Sequence, residues 1–188
     1  MTQLQSTLSQ EDMDDIIYEA RSGDLDSVKE IFEKHVDPKT LPSIKDEFTL
    51  ATPIHMAAAN GHHEVCKYLL SLIPKEEAKT LVNQQNESGN TALHWAAYNG
   101  HIETIKLLCD VGADPFLQNK FGHDAIFEAE NNNKPEAEKY FLEKFDVHES
   151  DGESEEKIQY KEGTEIEKAT DESREVEKVR KGLESNQL

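Results

Sequence analysis

Lysine and arginine are scarce in this chain relative to the acids they face. There are 20 of them against 39 aspartates and glutamates, a formal net charge of −19 over 188 residues with a pI near 4.7. Binding to nucleic acid through its phosphates is driven mainly by basic side chains, so direct DNA or RNA binding by bulk attraction is excluded. The same field draws in basic partners. Cysteine is limited to two residues. No run approaches the roughly 20 apolar residues of a membrane span. The first fifteen residues, Met1 to Asp15, are polar and then acidic, without the apolar core of a signal peptide. Cytoplasm and nucleus are therefore the expected compartments, with no membrane association. Catalytic vocabulary is missing as well. No nucleophile motif, phosphate-binding glycine loop or paired-carboxylate spacing stands out from the acidic background, so neither enzymatic activity nor a cofactor is expected.

What the chain does have is a stretch from Gly89 to Gly122 that reads as two helices and two turns. It runs Gly89-Asn-Thr91-Ala-Leu93-His94-Trp95-Ala96-Ala97-Tyr98-Asn99-Gly100. Thr91 stands where a helix should start, since its hydroxyl can accept from the free amides of a first turn. Leu93, Ala96 and Ala97 follow at helical spacing, and the small pair lets a neighbouring helix approach closely. Gly100 ends that helix through the left-handed conformation that glycine reaches without strain. A second helix over about Ile102 to Val111 presents Ile105, Leu107 and Leu108. Gly112 closes it, and Asp114-Pro115 opens a turn.

The pattern recurs. Thr52-Pro53-Ile54-His55-Met56-Ala57-Ala58 leads to Gly61, with Val65, Leu69 and Leu70 behind it. Asp14 to Gly23 is a more degenerate copy that places Ile16 against Leu93 and Ala20 against Ala97, with Val28 against Ile105. Asp124 to Asn133 is a fourth, with asparagine standing in for glycine at the turn, and its second helix runs from about Pro135 to Phe145. The turn residues Gly23, Gly61, Gly100 and Asn133 stand 38, 39 and 33 residues apart. Thr-Pro-Ile-His-Met-Ala and this period resemble the ankyrin repeat, with its Thr-Pro-Leu-His-x-Ala signature and period of about 33 residues. The resemblance implies an all-α ankyrin-repeat solenoid of about four helix-turn-helix units joined by short hairpins, and a function in recognition.

The domain limits follow. Residues 1–11 are expected to be a disordered lead-in, and 12–145 to form the repeats. Val36 to Leu50 reads as a long connection, and Ile73 to Leu81 as an insertion of extra length. Residues 146–188 carry 14 acids and 7 bases with few large apolar residues, and so read as an acidic tail. Within it, Thr164 and Glu167 form a capping box ahead of a weak apolar stripe, which predicts a helix over 164–183. An exposed, fraying helix and one docked on the repeats or on a partner both remain open.

Three groups could be mistaken for chemistry. His62, His63 and Cys66 have the look of a metal cluster, but zinc needs three or four ligands and no others lie near in sequence. His62 takes the place after the turn glycine where the repeat family carries histidine, and no metal site is expected. His55 and His94 belong to the signature and should hydrogen-bond between units. Cys66 and Cys109 sit among valine and leucine and read as buried thiols.

In ankyrin arrays partners meet the inner helices and the hairpin tips, and the resemblance implies the same surface here. The inner-helix position five before each turn residue holds Tyr18, Met56, Trp95 and Glu128, which either touch a partner or pack on the next unit. Tyr98 and Asn99 precede Gly100 and should be more exposed. On the hairpins, Asp46, Glu47, Phe48, Glu87, Asn90 and Phe121 are candidates. Aromatics ringed by acids suit a basic partner with some apolar surface.

The run from Gly89 to Ala96, the run from Asp114 to Asn131 and the tail run Lys161-Glu-Gly-Thr-Glu-Ile-Glu167 further resemble the fungal ankyrin-repeat chaperones dedicated to ribosomal protein S-three of the small subunit. That resemblance implies a monomeric binding protein that shields a newly made, basic ribosomal protein and escorts it toward small-subunit assembly. An adaptor or inhibitor of a folded signalling or transcription protein is the alternative the fold leaves open.

Overall fold

The computed structural model describes residues 4–145. Those residues form helices and turns, with one isolated backbone bridge between Gln5 and Val36. Four helix pairs follow one another: α1 (Gln10–Ser22) with α2 (Leu25–Glu30), α3 (Pro53–Ala59) with α4 (His63–Ser71), α6 (Ala92–Asn99) with α7 (Ile102–Val111), and α8 (Ala125–Asn131) with α9 (Pro135–Phe145). The first helices stack as α1 on α3, α3 on α6 and α6 on α8. The second helices stack as α2 on α4, α4 on α7 and α7 on α9. Helices this short, of 6 to 13 residues, are marginal in water when isolated, so their stability comes from this stacking.

The alanines make the stacking possible. Ala57 and Ala58 on α3, Ala96 and Ala97 on α6, and Ala129 on α8 are fully buried, each leaving room for the neighbouring helix. Ile54, Leu93, Leu69, Ile105, Leu108 and Phe141 fill the layer between the rows. Turn geometry is as the sequence implies: Gly23, Gly61 and Gly100 have φ of +82°, +73° and +78°, and Asn133 has φ of +55°. The turn glycines answer a second demand too. A Cβ on Gly23 would lie 2.4 Å from the His62 ring, and one on Gly61 would lie 2.6 Å from the His101 ring. The first two turns are thus covered by the histidine of the next unit, and the third, at Gly100, by the stem of Lys134.

One expectation needs correction, and two connections carry more structure than their length alone implies. The lead-in predicted over residues 1–11 is structured before it ends: α1 starts at Gln10, because Ser9 and Asp12 cap its first turn reciprocally. Gln5 is also tied to the first unit, its amide donating to His35 O and its carbonyl accepting from Asp37 N. The insertion at 73–81 is a helix, α5 (Lys75–Val82), whose Ala78, Leu81 and Val82 are buried where it packs on α4 and α7. The long connection before α3 also contributes core. Pro38–Ser43 forms a 3-10 turn that buries Leu41, and Ile44 behind it is buried as well. The predicted acidic tail and its helix over 164–183 lie outside the described residues.

Both cysteines are free and buried. Burial pushes the Cys66 thiol up to about 12 and the Cys109 thiol up to about 11. At pH 8 the thiolate fraction of Cys66 is then about a thousandfold below that of an ordinary cysteine. Native protein should accordingly react with a disulfide reagent at both positions only on the timescale of local opening, and at once in denaturant. Rapid stoichiometric labelling of the native protein would contradict this packing.

Candidate binding site

The second, third and fourth units each begin at a hairpin tip held by one side-chain carbonyl or carboxylate. Asp46 Oδ1 accepts from the Thr49 amide and hydroxyl, both at 2.6 Å, and from the Phe48 amide. The Thr49 hydroxyl, then its amide, hold the Asp46 carboxyl below the usual carboxylate range. Asn86 Oδ1 does the same for Ser88 and Asn90, and Asn119 Oδ1 for Phe121 and His123. The tips are also stitched to one another through backbone: the Glu87 amide donates to Thr49 O at 2.7 Å, and the Lys120 amide to Ser88 O at 3.0 Å. Phe48 and Phe121 stand out from this framework 80% and 73% exposed.

Behind the tips runs a buried chain of histidines. His55 Nε2 faces Asn90 O at 3.0 Å, and His94 Nε2 faces His123 O at 3.0 Å. A carbonyl can only accept, so Nε2 carries the proton in both rings. Nδ1 is then the acceptor, which the Thr52 and Thr91 amides and hydroxyls satisfy. The predicted links between units are therefore present. In the third unit the cap runs from the Thr91 amide and hydroxyl to the ring of His94. Burial pulls both histidines down, His55 to about 4. His62 and His101 make a second set of links, donating from Nε2 to Arg21 O and Ala59 O. His62 is thereby occupied in joining units, and Cys66 behind it is fully buried.

Five of the predicted contact residues come together. Asn90, Trp95, Tyr98, Phe121 and Glu128 line one cavity of about 130 Å³ between the third and fourth units, with His94 at its base. Trp95 and Tyr98 meet edge to face, ring centroids 6.2 Å apart at 68°. Glu128, whose side chain is 13% exposed, accepts from Asn132 Nδ2 at 3.3 Å and lies 3.3 Å from His123 Nδ1. The other candidates sit apart from the cavity. Asp46, Glu47 and Phe48 form the tip of the second unit, and Glu87 pairs with Lys120 at 3.2 Å across exposed tips. Met56 packs half-buried against the core, and Asn99 donates to Ala59 O and Trp95 O.

Sequence reasoning did not single out Asn119, His123 or Phe127. Asn119 lines the same cavity and donates to Asn90 Oδ1 at 2.8 Å. The His123 and Phe127 rings stack 4.1 Å apart beside it. A signal for Asn119 was present: Asn86 and Asn119 each stand three residues before a glycine, in the tip pattern Asn-x-x-Gly.

The stacked helix pairs, histidine links and stitched tips agree with a sequence comparison in which a profile of ankyrin repeats in three copies matches residues 16–119. The chain belongs to the ankyrin-repeat family. It is 51% identical over 180 residues to the ankyrin repeat-containing protein YAR1 of Saccharomyces cerevisiae, spanning 90% of each chain. It is 40% identical over 132 residues to the ankyrin repeat-containing protein P16F5.05c of Schizosaccharomyces pombe, spanning 70% of this chain and 85% of that one. Among solved structures it is similar to a chain in the crystal structure of the yeast ribosomal protein Rps3 in complex with its chaperone Yar1. There the TM-score is 0.73 at 53% identity, over 77% of this chain and all of that chain. Within the ankyrin-repeat family, α5 lengthens the second unit of this chain, and Asn133 replaces glycine at the last turn.

Proposed function

We propose that this protein is a chaperone for a basic ribosomal protein of the Rps3 type, holding it before small-subunit assembly. The observation that carries the reading is identity of 51% across nine tenths of a relative whose structural counterpart is solved with Rps3 as its chaperone complex. The charge of this chain agrees in sign. A ribosomal protein must bind RNA, so before assembly it carries basic surface that attracts other polyanions, and a protein of net charge −19 can shield it. The proposed contacts are the acidic tip of Asp46, Glu47 and Phe48, the neighbouring Glu87, the half-buried Met56 and Asn99 on the helices, and the cavity of Asn90, Trp95, Tyr98, Phe121 and Glu128. The function is binding rather than catalysis, by a monomer, without direct contact to nucleic acid. Cytoplasm and nucleus are the compartments proposed, since a client made in one is assembled starting in the other.

Complex formation should weaken with salt. Between about 0.05 M and 0.5 M the screening length falls from about 14 Å to about 4 Å, so contacts between exposed acids and client lysines fade. Titration of purified Rps3-type protein should show at least about a tenfold loss of affinity over that range. The client alone should also aggregate at low salt where the mixture stays clear. Affinity independent of salt, or aggregation unchanged by this protein, would remove the electrostatic chaperone reading.

A further inference from the structure

The cavity between the third and fourth units has walls of unequal character. Trp95 and Tyr98 form an aromatic corner, Phe121 stands at the mouth 73% exposed, and Glu128 supplies a carboxylate largely withdrawn from water. A carboxylate in such a place is normally matched by a cation, because an uncompensated buried charge is costly. Among the described residues no lysine or arginine pairs with Glu128. Its neighbours are the side-chain amides of Asn119 and Asn132 and the ring of His123. A second observation points the same way. The Trp95 indole N–H is shielded from solvent and has no acceptor, although buried donors are nearly always paired. One side lacks a permanent cation and the other lacks a carbonyl, and a polypeptide carrying a basic side chain supplies both.

We infer that this cavity is a subsite for a single lysine or arginine side chain of the bound protein. Its stem lies in the corner of Trp95 and Tyr98, its head group meets Glu128, and a backbone oxygen of the same segment accepts from Trp95 Nε1. Cation attraction to the aromatic faces adds to the ion pair. The subsite makes the client interaction specific at one point, whereas the acids at the tips act through diffuse attraction. It rests on the chaperone reading for the identity of the client, but not for the chemistry of the pocket.

Trp95 is the chain's one tryptophan, so its emission reports directly on the cavity. Titration with a tryptophan-free peptide bearing lysine and arginine should shift that emission. The same peptide with norleucine at those positions should not, and Glu128→Gln should abolish the response. With purified Rps3-type protein, Glu128→Gln and Tyr98→Leu should each weaken binding roughly 10- to 100-fold. Replacing one client lysine or arginine by norleucine should then cost wild type the same factor and the Glu128→Gln variant almost nothing further. Tyr98 is 45% exposed, so its variant keeps the fold even if the Glu128 variant does not, which a thermal melt will show. If the client binds both variants as tightly as wild type, the subsite is wrong and the chaperone reading stands. If the client does not bind wild type while the basic peptide still moves Trp95 emission, the pocket stands and the client has been misassigned. Equal emission responses to the basic and norleucine peptides overturn the subsite outright.

Discussion

Lowering the pH from 6.5 to about 4 should strip on the order of 3 kcal/mol from the folding stability, through His55 alone. The ring is 1% exposed and neutral, its proton fixed on Nε2 by Asn90 O and its Nδ1 filled by Thr52. An unfolded chain takes up a proton near pH 6.5, whereas the folded chain resists it until about 4. In that window the unfolded state holds more protons, so stability is complete above 6.5 and falls as the pH drops. His94, lowered for the same reason, adds in the same direction. The depressed carboxylates Asp12, Asp24 and Asp46 contribute elsewhere. Their stabilisation is present above their ordinary value of 3.8 and is lost only below it. Urea titrations from pH 7 to 4.5 should therefore show a slope that flattens by about one proton in His55→Gln. Glutamine can serve the same capping position without titrating. Parallel curves for the two proteins would mean that His55 is not the buried neutral link between units.

The repeats were legible because each makes the same local demands four times. A cap, an alanine shortly before the turn and a left-handed turn each leave a mark on sequence, and their recurrence located all four helix pairs. What escaped notice depended on contacts between distant residues. Ser9 and Asp12 are a legible cap, but they adjoin a polar leader whose tie to the repeats runs through Gln5 and Val36. At the cavity, Trp95 and Glu128 were found by register, since both stand five residues before a turn. Asn119 and His123 are polar residues of a turn, and only the hydrogen bond from Asn119 to Asn90 and the approach of His123 to Glu128 set them apart. A polar residue in a turn has the same local reasons to be there whether it faces water or braces a site.

The stretch Ile73 to Leu81 makes the sharpest case, and Leu81→Ala should cost about 2–5 kcal/mol. Measured against the period of the other units, these residues are surplus, and surplus length in a repeat protein usually lies in a loop whose side chains contribute little. The segment Lys75-Glu-Glu-Ala-Lys-Thr-Leu-Val82 instead has a helical stripe of Ala78, Leu81 and Val82, with Glu76 and Glu77 at the end where acids favour a helix. Leu81 is 1% exposed and Val82 fully buried, which places α5 as packing for α4 and α7 rather than as an ornament on them. Asn83 then anchors its end, donating to Gly112 O and accepting from the Asp114 amide. Truncating Leu81 removes a core side chain at a junction of three helices that cannot close without moving α5. Glu77→Ala on the exposed face should change stability by less than about 0.5 kcal/mol. Chemical unfolding of the two variants separates the possibilities: a large loss for Leu81 alone means the extra helix is integral to the stack, and two equally small losses would mean that it contributes little to it.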